Sequence, residues 1–131
     1  MDELKILLVE DDIDDVELLR DSFAGNDLKV ELLVFSEGDQ VTSFLKEPHF
    51  IPQLIVIDFN LPKVHGKEIL KMIKNHEVFS KIPLVVLSTS AAKEDIAYSI
   101  QYGAEHFITK PTSVDGFNKA IEILISCVKR N

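Results

Sequence analysis

Short apolar runs alternate along this chain with segments of helical spacing. Runs rich in Val, Ile and Leu occur at Ile6–Val9, Val30–Phe35, Leu54–Ile57, Leu84–Leu87 and Phe107–Ile108. Most show little alternation of apolar and polar residues, as expected for strands buried on both faces of a parallel sheet. Between them apolar residues recur at three and four. The sets are Val16, Leu19 and Phe23; Val41, Phe44 and Leu45; Ile69, Leu70 and Ile73; Ile96 and Ile100; and Phe117, Ile121, Leu124 and Val128. Each set predicts a helix with one core-facing stripe.

Turn residues fall between these segments. Gly25-Asn26 closes the first helix, Pro52 precedes the third strand, and Pro62 and Gly66 bracket the loop before the third helix. Pro83 opens the fourth strand, Gly103 closes the fourth helix, and Pro111 ends the last strand. The count is five βα units. Such a chain builds a parallel sheet with helices on both faces through right-handed crossovers. Its site is expected beyond the carboxyl ends of the strands.

The residues that follow each run therefore belong together. Glu10-Asp11-Asp12 follows the first run and Asp58-Phe59-Asn60 the third. Ser88-Thr89-Ser90 lies at the end of the fourth, and Thr109-Lys110-Pro111 follows the fifth. Glu10, Asp11 and Asp58 bring three carboxylates to one rim, with a hydroxyl from Ser88 and an ammonium from Lys110. At 4 Å and an effective dielectric near 20, each carboxylate pair repels by about 4 kcal/mol. The acids must protonate, spread into water or share a cation. Magnesium suits a site with few protein carboxylates, because it keeps waters that a phosphate oxygen can replace. A cation, an ammonium and a hydroxyl around a carboxylate are what phosphoryl transfer needs, with the carboxylate as nucleophile.

Composition narrows the partners. The 131 residues fit one domain. A net charge of −8 argues against non-specific nucleic-acid binding and against an anionic membrane surface. It allows a protein partner with a local basic patch. The only cysteine, Cys127, cannot form an internal disulfide and reads as a small apolar filler of the last helix. The start MDELKILLVEDD is not a signal peptide, and no apolar run approaches the roughly 20 residues of a membrane span. The expectation is a cytoplasmic protein. His49, His65, His76 and His106 show no metal-ligand spacing and are expected at the surface.

Taken in order, ILLVEDD, LIVIDFNLPKVHG, PLVVLSTS and GAEHFITKP resemble the receiver domains of bacterial two-component response regulators, the CheY-like type. The resemblance runs from about Lys5 to the last helix. PHFIPQLIVIDFNLPKVHG and HEVFSKIPLVVLSTS look like the single-domain regulators paired with phytochrome-type kinases. The resemblance implies a doubly wound, flavodoxin-like α/β fold of (βα)5 type with strand order 2-1-3-4-5. It also implies one receiver domain over residues 1–131 and no output domain. Glu10 and Asp11 then resemble the acidic pair that holds Mg2+, with Asp11 the direct ligand. Asp58 resembles the phospho-acceptor and a metal ligand, and Asn60 would offer the metal its backbone carbonyl. Asp12 starts the following helix, where a carboxylate is favoured. Ser88 resembles the hydroxyl that moves to the phosphoryl group, Lys110 the lysine that pairs with it, and Phe107 the aromatic switch. The Lys110–Pro111 bond resembles the family's cis peptide.

The implied donor is a sensor histidine kinase, of phytochrome type by the narrower resemblance, or a phosphotransfer protein. The implied readout is a downstream protein that meets the fourth helix, fifth strand and fifth helix, through Ile96, Tyr98, Tyr102 and Phe107. The chain is expected to work as a monomer or as a homodimer through that face. Three positions depart from the family pattern. His65 stands where an acid often precedes the glycine. Phe107 lacks the hydroxyl of members that carry Tyr, which leaves a switch by ring burial but not by a phenol hydrogen bond. Thr112 follows the Lys-Pro pair where an aromatic is common.

Two other readings use the same residues. A non-phosphorylated adaptor on this fold would not need the intact acidic pair, Ser88 and Lys110. A small enzyme would be either a flavin-binding carrier or an aspartate-nucleophile phosphatase. Glu-Asp-Asp after the first strand would repel a flavin phosphate, and 131 residues leave no room for a phosphatase cap domain.

Overall fold

In the computed structural model, which describes residues 3–25, 29–61, 66–89 and 91–129, all five apolar runs become strands of one parallel sheet. The chain order is β1 (Leu4–Val9), α1 (Ile13–Ala24), β2 (Val30–Phe35), α2 (Gly38–Lys46), β3 (Leu54–Asp58) and α3 (Gly66–Lys74). It continues with a 3-10 turn (Phe79–Lys81), β4 (Leu84–Ser88), α4 (Lys93–Gln101), β5 (His106–Thr109) and α5 (Val114–Lys129). The strands lie in the order β2-β1-β3-β4-β5, the doubly wound arrangement that the sequence implies. The short 3-10 turn was not expected.

Burial follows position in the sheet. Every residue of β3 and β4 is buried, as are Ile6–Val9 of β1. The edge strands β2 and β5 are only half-buried or exposed. The two-residue period of a strand sends alternate side chains to opposite faces. One face packs Leu7, Val9, Ile55, Ile57, Leu84 and Val86 against α2 and α3. The other packs Ile6, Leu8, Leu54, Val56, Val85 and Leu87 against α1 and α5. Each fully buried aliphatic side chain contributes about 1.5–3 kcal/mol of transfer free energy. These two apolar layers hold the strand ends in register, with Val9 beside Ile57, Asp58 beside Leu87 and Ser88 beside Thr109.

One helix departs from its expected stripe. Ile96 of α4 is half-buried, but Ile100 is 66% exposed. The buried residue of α4 is Ser99, whose hydroxyl donates to the Ile96 carbonyl at 2.8 Å. The helix turns Tyr98 inward instead, and Tyr98 and Tyr102 pack with Phe107 against the α2–α3 layer. Large flat rings cover more of that surface than an isoleucine can. Gly103 then ends α4 with φ +91°, a conformation that favours glycine. Asn26, Pro62, His65 and Ser90 lie outside the described residues.

Gly66 sets the approach of α3 to the end of β3. A Cβ at this position would lie 2.5 Å from Phe59 Cα and 2.6 Å from the Asp58 carbonyl oxygen. Both neighbours are backbone, so the contact can be relieved only by moving α3 or the end of β3. Gly66→Ala is therefore expected to destabilise the fold by roughly 1–3 kcal/mol, the range of an overpacked core. A urea midpoint equal to that of the wild type would count against this close approach.

Candidate functional site

The site starts with a helix cap. Asp12 has an extended backbone, and its Oδ1 accepts the backbone N–H groups of Asp14 at 2.9 Å and Asp15 at 3.3 Å. This is the carboxylate cap expected at the start of α1, and it fixes the first turn above the end of β1. Glu10 lies just past β1 and is buried. Its backbone N–H donates to the Phe35 carbonyl, and its Oε2 accepts the Asp12 N–H at 3.2 Å.

Lys110 enters from the end of β5, where its backbone N–H donates to the Ser88 carbonyl at 2.7 Å. Its ammonium meets three carboxylates: Glu10 Oε1 at 2.7 Å, Asp15 Oδ2 at 2.8 Å and Asp58 Oδ2 at 3.2 Å. The Lys110 side chain is only 9% exposed and the Asp58 side chain 3%. Asp58 Oδ1 accepts the Asn60 backbone N–H at 2.9 Å. The sequence reading anticipated Glu10, Asp58 and Lys110 on one rim. It did not include Asp15. The available signal was a first-turn acid above the rim, but Asp14 fits that description equally well, and only the phase of α1 chooses between them.

Ser88 takes a separate place. It is fully buried, and its hydroxyl donates to Asn60 Oδ1 at 3.2 Å. The same oxygen accepts from the Thr89 backbone N–H and the Thr89 hydroxyl, both at 3.1 Å. Phe59, between Asp58 and Asn60, is buried and meets Phe107 edge-on at 6.1 Å and Tyr98 at 6.5 Å between ring centres. Tyr98 donates its hydroxyl to the Lys67 carbonyl at 3.1 Å and stands 4.5 Å from Tyr102. Tyr98, Tyr102 and Phe107 are thus half-buried, and Ile100 is the exposed large apolar residue of α4.

Two expectations need correction. No peptide bond among the described residues is cis, so Lys110–Pro111 is trans. Trans is the lower-energy form by about 0.5–1 kcal/mol even before proline, and the trans backbone already brings the Lys110 ammonium to three carboxylates. His76 is not a plain surface residue. Its Nδ1 accepts the backbone N–H groups of Val78 and Phe79, each at 3.1 Å, which leaves the proton on Nε2 to donate to the Leu45 carbonyl. It secures the 3-10 turn, while His49 and His106 are exposed.

The electrostatics follow from the crowding. Three carboxylates (Glu10, Asp15 and Asp58) surround one ammonium, and Asp11 lies close to Glu10 and Asp58. Burial pushes the Glu10 carboxyl up from 4.5 to about 8; Lys110 opposes this and the neighbouring Asp58 adds to it. Burial alone would lower the Lys110 ammonium, but hydrogen bonds to Asp15 and Glu10 and the charges of Glu10 and Asp58 outweigh it and raise it above its usual value.

One oxygen from each of Glu10, Asp11 and Asp58 lies within 4.8 Å of the other two. Glu10 Oε1 is buried and has the Lys110 ion pair but no aligned hydrogen bond. An all-oxygen set with an under-satisfied buried carboxylate fits a hard divalent cation such as magnesium.

A family profile described as the response regulator receiver domain matches residues 6–122. The response regulator Rcp1 of Synechocystis sp. is 31% identical over 122 residues, covering 89% of this chain and 83% of Rcp1. The crystal structure of the phosphorylated cyanobacterial phytochrome response regulator RcpA superposes with a TM-score of 0.86 at 30% identity, over 95% of this chain and 96% of RcpA. The Mn2+-bound form of Rcp1 superposes with a TM-score of 0.84 at 31% identity, over 94% and 92% of the two chains. Among the described residues no helix is long and apolar enough to cross a membrane.

The raised Glu10 carboxyl predicts a pH dependence of the cation-free protein. The folded state keeps a proton that the unfolded chain releases near pH 4.5. Stability from this group is full below pH 4.5 and is lost as the pH rises through about 8. Lys110, also raised, contributes in full throughout that window and begins to lose its contribution only above its unfolded value of 10.5. In a chelating buffer Glu10 is therefore expected to lower the urea midpoint between about pH 4.5 and about pH 8, and Glu10→Gln to flatten the fall. An equally steep fall in the variant would exclude Glu10 as its source.

Proposed function

The chain belongs to the response regulator receiver domain family of two-component signalling, and we propose that it performs that role by accepting a phosphoryl group on Asp58 from a histidine kinase in the cytoplasm. The observation that carries this reading is the Lys110 ammonium, which faces the Asp58 carboxylate at 3.2 Å beside Glu10. A carboxylate whose charge is already shared with an ammonium suits a group that must take on more negative charge. The similarity to RcpA favours a kinase of phytochrome type. A phosphotransfer protein carries the same donor chemistry.

In this reading an Asp58 carboxylate oxygen forms the new P–O bond as the P–N bond to the donor imidazole breaks. The freed imidazole takes up a proton. Glu10, Asp11, Asp58 and the Asn60 backbone carbonyl would hold magnesium, which supplies positive charge against the phosphoryl oxygens. Lys110 adds its ammonium to the same oxygens. The aspartyl phosphate carries about 1.5–2 negative charges. That charge gives the Ser88 hydroxyl a stronger acceptor than Asn60 Oδ1, and Ser88 moves to it. Thr89 shares Asn60 Oδ1 with Ser88, so the loop after β4 moves as well. Phe107 packs on Phe59 and adjusts its burial with that loop. The readout is then the α4–β5–α5 face, where Tyr98, Tyr102 and Phe107 form the packed layer, Ile96 is half-buried and Ile100 is an exposed apolar contact. The two packings form an equilibrium that phosphoryl contacts bias.

Incubation with acetyl phosphate and magnesium is expected to add the mass of one phosphoryl group to the intact protein. Asp58→Asn and excess chelator should each abolish the gain. Lys110→Gln should slow it roughly a hundredfold, the scale of losing one charge-stabilising donor. A gain that persists in Asp58→Asn would assign the acceptor elsewhere, and no gain in the wild type would favour an adaptor that is not phosphorylated.

A further inference from the structure

Lys110 is held by a carboxylate outside the acidic pair and the acceptor. Asp15 Oδ2 lies 2.8 Å from its Nζ, closer than Asp58 Oδ2 at 3.2 Å. The Asp15 side chain is 20% exposed and that of Lys110 only 9%, so this ion pair is largely withdrawn from water. Such pairs are stronger than those on an open surface. Asp15 is itself held in place. Its backbone N–H is capped by Asp12 Oδ1, and its carboxylate sits in the first turn of α1, where the helix dipole favours negative charge.

An ammonium has three N–H bonds, and three carboxylates surround this one. Glu10 and Asp15 hold it as ion pairs at 2.7 and 2.8 Å, and its aligned hydrogen bond runs to Asp58 Oδ2 at 3.2 Å. We propose that Asp15 is a positioning residue, which fixes the Lys110 ammonium so that one N–H points at the acceptor carboxylate. The chemical purpose of this arrangement rests on the acceptor reading of Asp58, while its geometry does not. Without Asp15 the flexible lysine stem has one anchor fewer, and the ammonium spends less time in the orientation that a phosphoryl oxygen needs. Asp14 is the natural control, because it is an exposed acid in the same first turn and carries the same charge.

The test compares wild type with Asp15→Ala, Asp15→Asn and Asp14→Ala in two measurements. The first follows the Lys110 Nζ signal by 1H–15N NMR in the unphosphorylated protein. Wild type and Asp14→Ala are expected to give a slowly exchanging ammonium. Asp15→Ala should exchange too fast to detect, and Asp15→Asn, which keeps the shape and one acceptor oxygen, should be intermediate. The second follows mass gain with acetyl phosphate and magnesium, where Asp15→Ala is expected to be about tenfold slower, the weight of one charge-assisted hydrogen bond. An unchanged Lys110 signal in Asp15→Ala overturns the proposal. So does an equal loss in Asp14→Ala, which would point to the general field of the helix terminus. Wild-type protein that gains no mass defeats the acceptor reading, and the NMR comparison then still decides whether Asp15 positions Lys110.

Discussion

A single ammonium lets the carboxyl ends of the strands meet. Lys110 projects from the end of β5 into a rim built by β1, β3 and α1, and contacts Glu10, Asp15 and Asp58 at 2.7–3.2 Å. Like charges about 4 Å apart repel by about 4 kcal/mol per pair at an effective dielectric near 20. Removing a buried partner leaves uncompensated charge, which is far more destabilising than the net worth of the pair. The apolar layers bring the strands together, and Lys110 makes their polar ends compatible. In the proposed reading the same charge would offset that of a phosphoryl group on Asp58.

The end of β3 faces two ways over very few residues. Asp58 turns toward Lys110, Glu10 and α1, and the next residue, Phe59, turns toward Phe107 and Tyr98. Asn60 then joins both sides: its N–H donates to Asp58, and its side-chain oxygen receives Ser88 and Thr89. This alternation is the ordinary period of a strand. In the proposed reading, these adjacent peptides are the route by which a change at the Asp58 carboxylate would act on the aromatic layer beneath α4. Gly66 keeps α3 against this segment, which limits how far Asp58 and Phe59 can shift independently.

Glu10 marks the point where the rim is least satisfied. Its burial raises the carboxyl to about 8, so near neutrality the cation-free site holds a proton where a hard cation would favour the carboxylate. Proton and cation are thus alternatives at one buried group. The second acid of the pair, Asp11, is exposed. Their unequal surroundings give two adjacent acids separate parts, one built into the packed end of β1 and one open to solvent.

Much of this was legible in the sequence. The five apolar runs, the Asp12 cap and the convergence of Glu10, Asp11, Asp58 and Lys110 follow from local pattern, because neighbouring strands of a parallel sheet must place their ends together. Other features depended on the angle at which each helix meets the sheet and on how far each side chain reaches. Asp15 rather than Asp14 joined Lys110, Tyr98 turned inward while Ile100 faced solvent, and His76 found two backbone partners in its turn and one on α2. Lys110 reached its carboxylates across a trans bond to Pro111. The sequence alone determined which strand ends carry charge, since strand periodicity and topology are written into hydrophobic spacing. Only the tertiary structure decided which charges touch, since a difference of one residue on a helix rotates a side chain by about 100° and no one-dimensional pattern records that phase.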